Sequence, residues 1–387
     1  MRFGDIIGHE PAIRVLRRAL AYGEDTGTFL ILGEAGVGKT ALAEAFAAAA
    51  ACLSPQREPF DACGECASCR RAVVGAQPEI VTIAPAGEQT QIWQFWDREG
   101  KPPGVLQRAL GFAPTVGRKR VFIIERADTL TEAAANSLLK VLEEPPPYVL
   151  FVLLAAHASR LLPTILSRAR MLRLSPVPVD ELAARLQEVA HLSYDEARAL
   201  AIASGGRPGV ALSYARAEGG TGDMDRVLDW AEALPTAPAL AAPQLADTFR
   251  RLTASATSSA SEAVEASGDD GAGTDRVGRG KAAAAVDLAT MLYRDLLAAS
   301  LKRNAEALVF QHRSSRVLAL AHAAPPVVWA SCLEALLKAR RRLDQNVSVR
   351  LVLEGLTAEL VAACTPMAPD NRNRKPKGEE DEPVEAR

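Results

Sequence analysis

The sequence predicts a parallel α/β unit followed by all-helical units, and three observations predict it. Strand-like and helix-like segments alternate over the first 170 or so residues. A glycine-rich loop joins the first strand to the first long helix. After Pro176 the β signal vanishes. Strands that alternate with helices pair in parallel, because each crossover helix returns the chain to the same edge, and the sheet is then covered on both faces.

Taken in order, residues 28–32 (Thr-Phe-Leu-Ile-Leu) read as a buried strand and residues 39–51 as an Ala-rich helix. Residues 79–83, 120–124 and 149–154 supply a second, third and fourth strand, with a helix at 131–143. Beyond Pro176, Leu182, Leu186 and Val189 mark one amphipathic helix. Ser193-Tyr194-Asp195-Glu196 is a capping box for the next, and Gly205-Gly206 ends it. This small helical unit runs to about residue 220. Residues 253–280 are rich in Ser, Ala, Gly and Asp, the composition of a linker. Helical stripes resume with Leu288, Met291, Leu292 and Leu296, then Leu333, Leu336 and Leu337, then Leu353, Leu356 and Leu360. Residues 367–387 form a charged tail with the composition of a disordered segment. No internal repeat is visible.

Composition narrows the function classes. The 387 residues are 48% hydrophobic and 24% charged, which suits sizeable cores and excludes collagen, a coiled coil or full-length disorder. The formal net charge of −2 gives no sign of nucleic-acid or membrane binding, although it averages over faces. At 5% aromatic residues, any DNA contact is expected through phosphates and not on a stacking platform. No apolar run approaches the ~20 residues that cross a bilayer, and the first residues do not read as a signal peptide. The expectation is a cytoplasmic protein without a membrane partner.

The strongest chemical signal is Gly33-Glu34-Ala35-Gly36-Val37-Gly38-Lys39-Thr40. It fits G-x-x-x-x-G-K-S/T between a strand and a helix, the context that the motif requires. Gly33, Gly36 and Gly38 let the backbone curl its N–H groups toward phosphate oxygens, and the helix N-terminus adds its positive end. Lys39 would reach the β- and γ-phosphates of ATP, and Thr40 would hold Mg²⁺. The acidic residue that such a site needs at a neighbouring strand end is Glu125, in Ile123-Ile124-Glu125-Arg126. The alternative for Glu125 is a solvated strand end. Arg126 follows it, and a cation cannot accept a proton. The pattern therefore supports nucleotide binding more firmly than hydrolysis.

Cys52, Cys63, Cys66 and Cys69 form the second signal. Four thiolates satisfy tetrahedral Zn²⁺ and leave no open position, so the site is expected to be structural. A redox cluster or four unrelated thiols are the alternatives. Cys332 and Cys364 fall on helical stripes and read as core thiols. Two arginines remain. Arg168, at the edge of the α/β unit, reads as an arginine finger or as a solvated surface arginine. Arg207, in Gly205-Gly206-Arg207-Pro208-Gly209, reads as a γ-phosphate contact or likewise as a surface residue.

These motifs, with residues 134–146 (AANSLLKVLEEPP) and 162–168 (LPTILSR), resemble the bacterial clamp-loader ATPases, the delta-prime and gamma/tau subunits of DNA polymerase III. The similarity runs from about residue 3 to 215 and returns at residues 340–346 (RRRLDQN). The resemblance implies a RecA-like AAA+ P-loop domain over residues 1–174 with a zinc-binding insert at 52–69. It implies an all-α lid at 175–222 and an all-α collar at 223–366. It implies a pentameric ring with gamma/tau and delta subunits that opens a sliding clamp and places it on primed DNA. Arg168 falls on the family's Ser-Arg-Cys arginine, which acts in trans on a neighbouring subunit's ATP; the Cys is Ala169 here. Two departures favour delta-prime over a hydrolysing gamma/tau motor. Glu-Arg replaces Asp-Glu at 125–126, and Leu154-Ala155-Ala156-His157 stands where gamma/tau keeps threonines. The length is in keeping with delta-prime, whereas the intact phosphate loop favours gamma/tau. An unrelated P-loop enzyme such as a small-molecule kinase is the third reading; it predicts no collar.

Overall fold

The computed structural model describes residues 1–87, 89–216, 222–238, 241–251, 271–302, 308–310, 313–345 and 347–364. These fall into two compact units, one built on Met1–Thr221 and one on Gly222–Ser255 and Arg276–Arg387.

The first unit is a five-stranded parallel sheet. Its strands are β1 (Gly27–Leu32), β4 (Ile80–Ile83), β5 (Arg120–Ile124), β6 (Val149–Ala155) and β7 (Ala169–Arg173), in the spatial order β4-β5-β6-β1-β7. The short hairpin β2 (Gln56–Arg57) and β3 (Phe60–Asp61) stands apart. The central strands alternate perfectly between the two faces. Phe29, Ile31, Val121, Ile123, Leu150, Val152 and Leu154 join one core with α1 (Glu10–Ala21) and α2 (Lys39–Ala51). Leu30, Leu32, Phe122, Ile124, Val149, Phe151 and Leu153 join the other with α5 (Glu132–Glu143). Both faces are dry, which is why these strands read as continuous apolar runs. α2 is buried almost all round, and its run of alanines lets it lie close on the sheet while keeping high helix propensity.

The fifth strand, β7, is absent from the sequence reading. Its residues are Ala-Arg-Met-Leu-Arg, mostly exposed, and it pairs only with β1 at the sheet edge. An edge strand needs no continuous apolar run, and its arginines discourage further pairing. The short helices α3 (Ala67–Val73), α4 (Val105–Ala109) and α6 (Pro163–Leu166) fill connections.

Three helices complete the unit: α7 (Val179–Ala190), α8 (Tyr194–Ala203) and α9 (Pro208–Arg216). The expected capping box is present. Ser193 Oγ accepts from Glu196 N at 3.3 Å, and the Glu196 carboxylate accepts from Ser193 N at 3.0 Å. The α7 stripe needs correction: Leu182, Ala183 and Leu186 are buried, but Val189 is 50% exposed, because the buried face of this short helix ends a turn earlier.

The second unit is built of helices: α10 (Gly222–Ala233), α11 (Ala242–Arg251), α12 (Gly271–Lys302, from Arg276 on), α13 (Ser314–His322), α14 (Pro326–Asp344) and α15 (Val349–Cys364). α12 begins inside the segment expected to be linker, so residues 271–280 are helical; 252–270 and the tail lie outside the described residues. Its Leu288, Leu292 and Leu296 are buried as the stripe predicts, while Met291 is half-buried. On α14 the buried face is Trp329, Cys332, Leu336, Ala339 and Leu343, while Leu337 is 46% exposed. Of the predicted stripe only Leu336 is buried; Leu333 is half-buried and Leu337 lies off the face. Cys332 and Cys364 are buried with sulfurs 4.0 Å apart. Among the described residues no single helix is long and apolar enough to cross a membrane.

Candidate nucleotide site and cysteine cluster

In parallel α/β sheets, ligands bind beyond the carboxyl ends of the strands, where successive connections leave in opposite directions. Here β1 lies between β6 and β7, and the glycine loop springs from its carboxyl end. Gly33 N donates to Ala155 O at 3.2 Å, tying the loop's start to the end of β6. Gly36 and Gly38 have φ of +78° and +114°, a region that residues with a Cβ avoid. Gly38 then caps α2, and its carbonyl accepts from Leu42 N at 3.0 Å. Lys39 and Thr40 open that helix, whose first N–H groups face outward with the positive end of its dipole.

Lys39 Nζ donates to Gly33 O at 2.6 Å and Glu34 O at 2.8 Å, so the ammonium lies across the loop. Burial pushes its pKa down, opposed by the charges of Asp128 and Glu34. A cation and a curled run of amides at a helix N-terminus are the chemistry of a polyphosphate site.

The loop is covered from two sides. His9 Nε2 lies 2.8 Å from Val37 O. From α9, Gly209 N donates to Gly36 O at 2.9 Å, and a Cβ on Gly36 would come within 2.5 Å of Val210 Cγ2. The helical segment 175–216 therefore packs directly on the phosphate loop. Arg207 lies two residues before this contact, with its Nε donating to Ser204 O at 2.8 Å. The structure thus brings Arg207's segment to the loop, while its guanidinium bonds its own chain. A crevice of about 350 Å³ beside the loop is lined by Gly33, Ala156, His157, Ser159 and Arg173, among others. Ala156 offers it no hydroxyl.

The acidic side is unusual. Glu125 follows β5, held by its N–H to Ile83 O at 2.9 Å. Its charge reaches Glu44 on α2, one turn beyond Thr40. Burial, and then Glu125, push the Glu44 carboxyl up against the pull of the chain's amino terminus. Arg126 is exposed and sits in left-handed backbone at φ +48°, its carbonyl accepting from Thr129 N at 2.7 Å and Thr129 Oγ1 at 2.8 Å. Asp128, the acid whose field Lys39 feels most, escaped the sequence reading. It sits in a single 3₁₀ turn, Ala127–Thr129, whose placement only the fold reveals.

Arg168 stands on the chain between α6 and β7, away from the loop in sequence and at the surface. Its Nε donates to Glu143 Oε1 at 2.7 Å and its Nη2 bonds the same oxygen; Nη1 donates to Thr164 O at 2.8 Å and Ser167 Oγ at 3.1 Å.

The four cysteines converge as their spacing predicts. Cys52 ends α2, Cys63 follows the β2–β3 hairpin, Cys66 caps α3 and Cys69 lies within it. The sulfurs of Cys52 and Cys63 are 3.6 Å apart, Cys52 and Cys66 3.9 Å, and Cys63 and Cys69 3.9 Å. Tetrahedral zinc with Zn–S near ~2.3 Å requires sulfurs about 3.8 Å apart, so the donor set fits. Backbone N–H groups point at the sulfurs, Cys63 to Cys52, Cys66 to Cys63 and Cys69 to Cys66, at 3.3–3.4 Å. Burial pushes the Cys66 thiol up, but the N–H groups of Cys69 and Leu53 outweigh it and bring it to about 6. Burial raises Cys69 and Cys52. The module is docked by Arg2, whose Nη2 donates to Cys63 O at 2.7 Å, and by Asp61, which accepts from Phe3 N at 3.1 Å.

Residues 8–178 match the family described as DNA polymerase III, delta subunit. Over 231 residues the chain is 29% identical to DNA polymerase III subunit tau of Bacillus subtilis strain 168, covering 59% of this chain and 38% of that protein. Over 170 residues it is 36% identical to DNA polymerase III subunit delta-prime of Pseudomonas aeruginosa, covering 43% of this chain and 48% of that protein. The chain thus spans less than half the length of these two curated relatives. Among solved structures, a DNA polymerase III gamma subunit-related protein from Thermotoga maritima overlays 90% of this chain and 99% of its own at 17% identity, with a TM-score of 0.37. By sequence the chain resembles clamp-loader subunits of the gamma/delta-prime type.

Proposed function

We propose that this chain is a clamp-loader subunit of DNA polymerase III, of the delta-prime type, which helps to place a sliding clamp on primed DNA. One observation carries the choice of subunit. The phosphate loop is complete, with Lys39 and Thr40 at the head of α2, but Arg126 follows Glu125 after β5 and Ala156 lines the adjoining crevice. Such a site holds ATP and is poorly equipped to polarise an attacking water. In this reading Gly33, Gly36, Gly38, Lys39 and Thr40 bind the phosphates, Arg207 approaches from the lid and Glu125 serves Mg²⁺ as a weakened acid. Arg168 acts in trans on the ATP of the next subunit in a pentamer with gamma/tau and delta, and the second unit is the collar. Zinc would be held by Cys52, Cys63, Cys66 and Cys69; all four positions are protein sulfurs, so the ion would supply rigidity alone.

The gamma/tau motor is the second reading, favoured by the intact loop. Nucleotide binding and turnover by the isolated chain separate the two. The delta-prime reading expects ATP affinity lost in Lys39→Ala, with turnover near background in both proteins. Robust turnover abolished by Lys39→Ala would make the chain the motor.

A further inference from the structure

We propose that Glu143 is a positioning residue for Arg168, fixing its guanidinium for use by a neighbouring subunit. The proposal rests on the reading of Arg168 as a finger in trans. Glu143 is the last residue of α5, twenty-five residues earlier in the chain. One of its carboxylate oxygens receives both Nε and Nη2 of Arg168. Thr164 O and Ser167 Oγ, at the end of α6, receive Nη1. A guanidinium has five N–H donors, so these bonds occupy four and leave one Nη2 hydrogen pointing away from the pair. The side chain is nonetheless 32% exposed, and that of Glu143 45%. The arginine is thus held through Glu143 on one side and Thr164 and Ser167 on another, with one Nη2 hydrogen and its exposed surface left for a neighbour.

Two roles are possible for such a carboxylate, and magnitude decides between them. As a restraint it would keep Arg168 from reaching out. Ion pairs at this exposure are weak, so a polyphosphate bearing several negative charges would break the pair at little cost. As a support it removes rotamer freedom from one of the most flexible side chains before any partner arrives, and this gain persists whether or not the partner is charged. Thr164 O and Ser167 Oγ have no charge to compete for the cation, yet they hold its other edge, which fits support and not restraint.

The test uses the complete ring, assembled from this chain and its own partner subunits, with DNA- and clamp-stimulated ATP turnover as the readout. Arg168→Ala, Glu143→Ala, Glu143→Gln and the double variant Glu143→Ala/Arg168→Ala are compared. Glu143→Ala is expected to lower kcat about tenfold with KM for ATP unchanged. Glu143→Gln should retain most activity, because its amide oxygen still accepts from Nε and Nη2. The double variant should be no slower than Arg168→Ala alone. Thermal midpoint and nucleotide affinity of the single chain, which a purely structural role would move, should stay put. If Arg168→Ala leaves turnover intact, the finger reading itself fails and this proposal with it. If Arg168→Ala slows the ring but Glu143→Ala does not, or Glu143→Ala speeds it, the finger stands and the positioning role is overturned.

Discussion

Replacing Gly36 by alanine probes the junction between the phosphate loop and α9, on which the proposed nucleotide binding depends. Gly36 has φ +78°, where an L-residue costs roughly 1–2 kcal/mol. The new Cβ would lie 2.5 Å from Val210 Cγ2 and 3.5 Å from Val210 N. Valine is stiff at χ1, so the methyl cannot swing away cheaply and either the loop or α9 must move. That movement endangers the 2.9 Å bond from Gly209 N to Gly36 O, worth about 1 kcal/mol, and overpacking adds about 1–3 kcal/mol. The total is about 3–6 kcal/mol, divided between folding and the geometry that phosphates require. If about half falls on binding, Kd for ATP rises on the order of 10- to 100-fold, measurable by titration calorimetry. Adding Val210→Ala removes the clashing carbon and leaves only the backbone strain, so the double variant should recover about two-thirds of the lost binding energy. Wild-type affinity in Gly36→Ala, or no recovery from Val210→Ala, would refute the claim that α9 seats on the loop through this contact.

Other predictions follow from charged and sulfur groups. Glu79 is buried against Arg120, whose Nε donates to Oε2 at 2.7 Å, and Thr115 N donates to Oε1 at 2.7 Å. Burial alone would push the Glu79 carboxyl up; the Thr115 N–H and Arg120 outweigh it and hold it below its ordinary value. With the folded value depressed, the contribution to stability is complete above about pH 4.5 and is lost as pH falls through the folded value. Chemical denaturation as a function of pH should show that loss, and Glu79→Ala should cost about 3–5 kcal/mol at neutral pH because it strands a buried guanidinium. An unchanged midpoint in Glu79→Ala would remove the pair from the stability account. Metal analysis should find about one zinc per chain. Cys69→Ser should lose it and lower the thermal midpoint of the first unit by roughly 6–12 °C for a loss of about 3 kcal/mol. A metal-free preparation that melts like the native protein would reject the zinc site.

What was legible in the sequence was local. The phosphate loop announces itself because its geometry needs glycines at fixed offsets, and Gly36 and Gly38 indeed take positive φ. The cysteines converge because Cys63, Cys66 and Cys69 are close enough in the chain for their spacing to dictate the knuckle. β1, β5 and β6 were legible because both their faces are buried, and the edge strand β4 because three of its four residues are isoleucine or valine. The rest depended on contacts between distant segments. β7 lacks an apolar run because it lies at an edge. Nothing in the text of α5 says that Glu143, and not Glu144, meets Arg168. The seating of Gly209 on Gly36 joins residues 173 positions apart, and no periodicity encodes it. Leu337 and Val189 show the limit of stripes: a spacing of three or four residues identifies a face but not where the partner surface stops.

The central claim is membership of a clamp-loader ring, and native mass spectrometry of the tagged chain purified from its own host tests it most directly. The account predicts one copy of this chain with several copies of a separate gamma/tau subunit and one delta. Several copies of this chain beside a different delta-prime would contradict the choice of subunit, and a chain recovered without any clamp-loader partner would contradict the account as a whole.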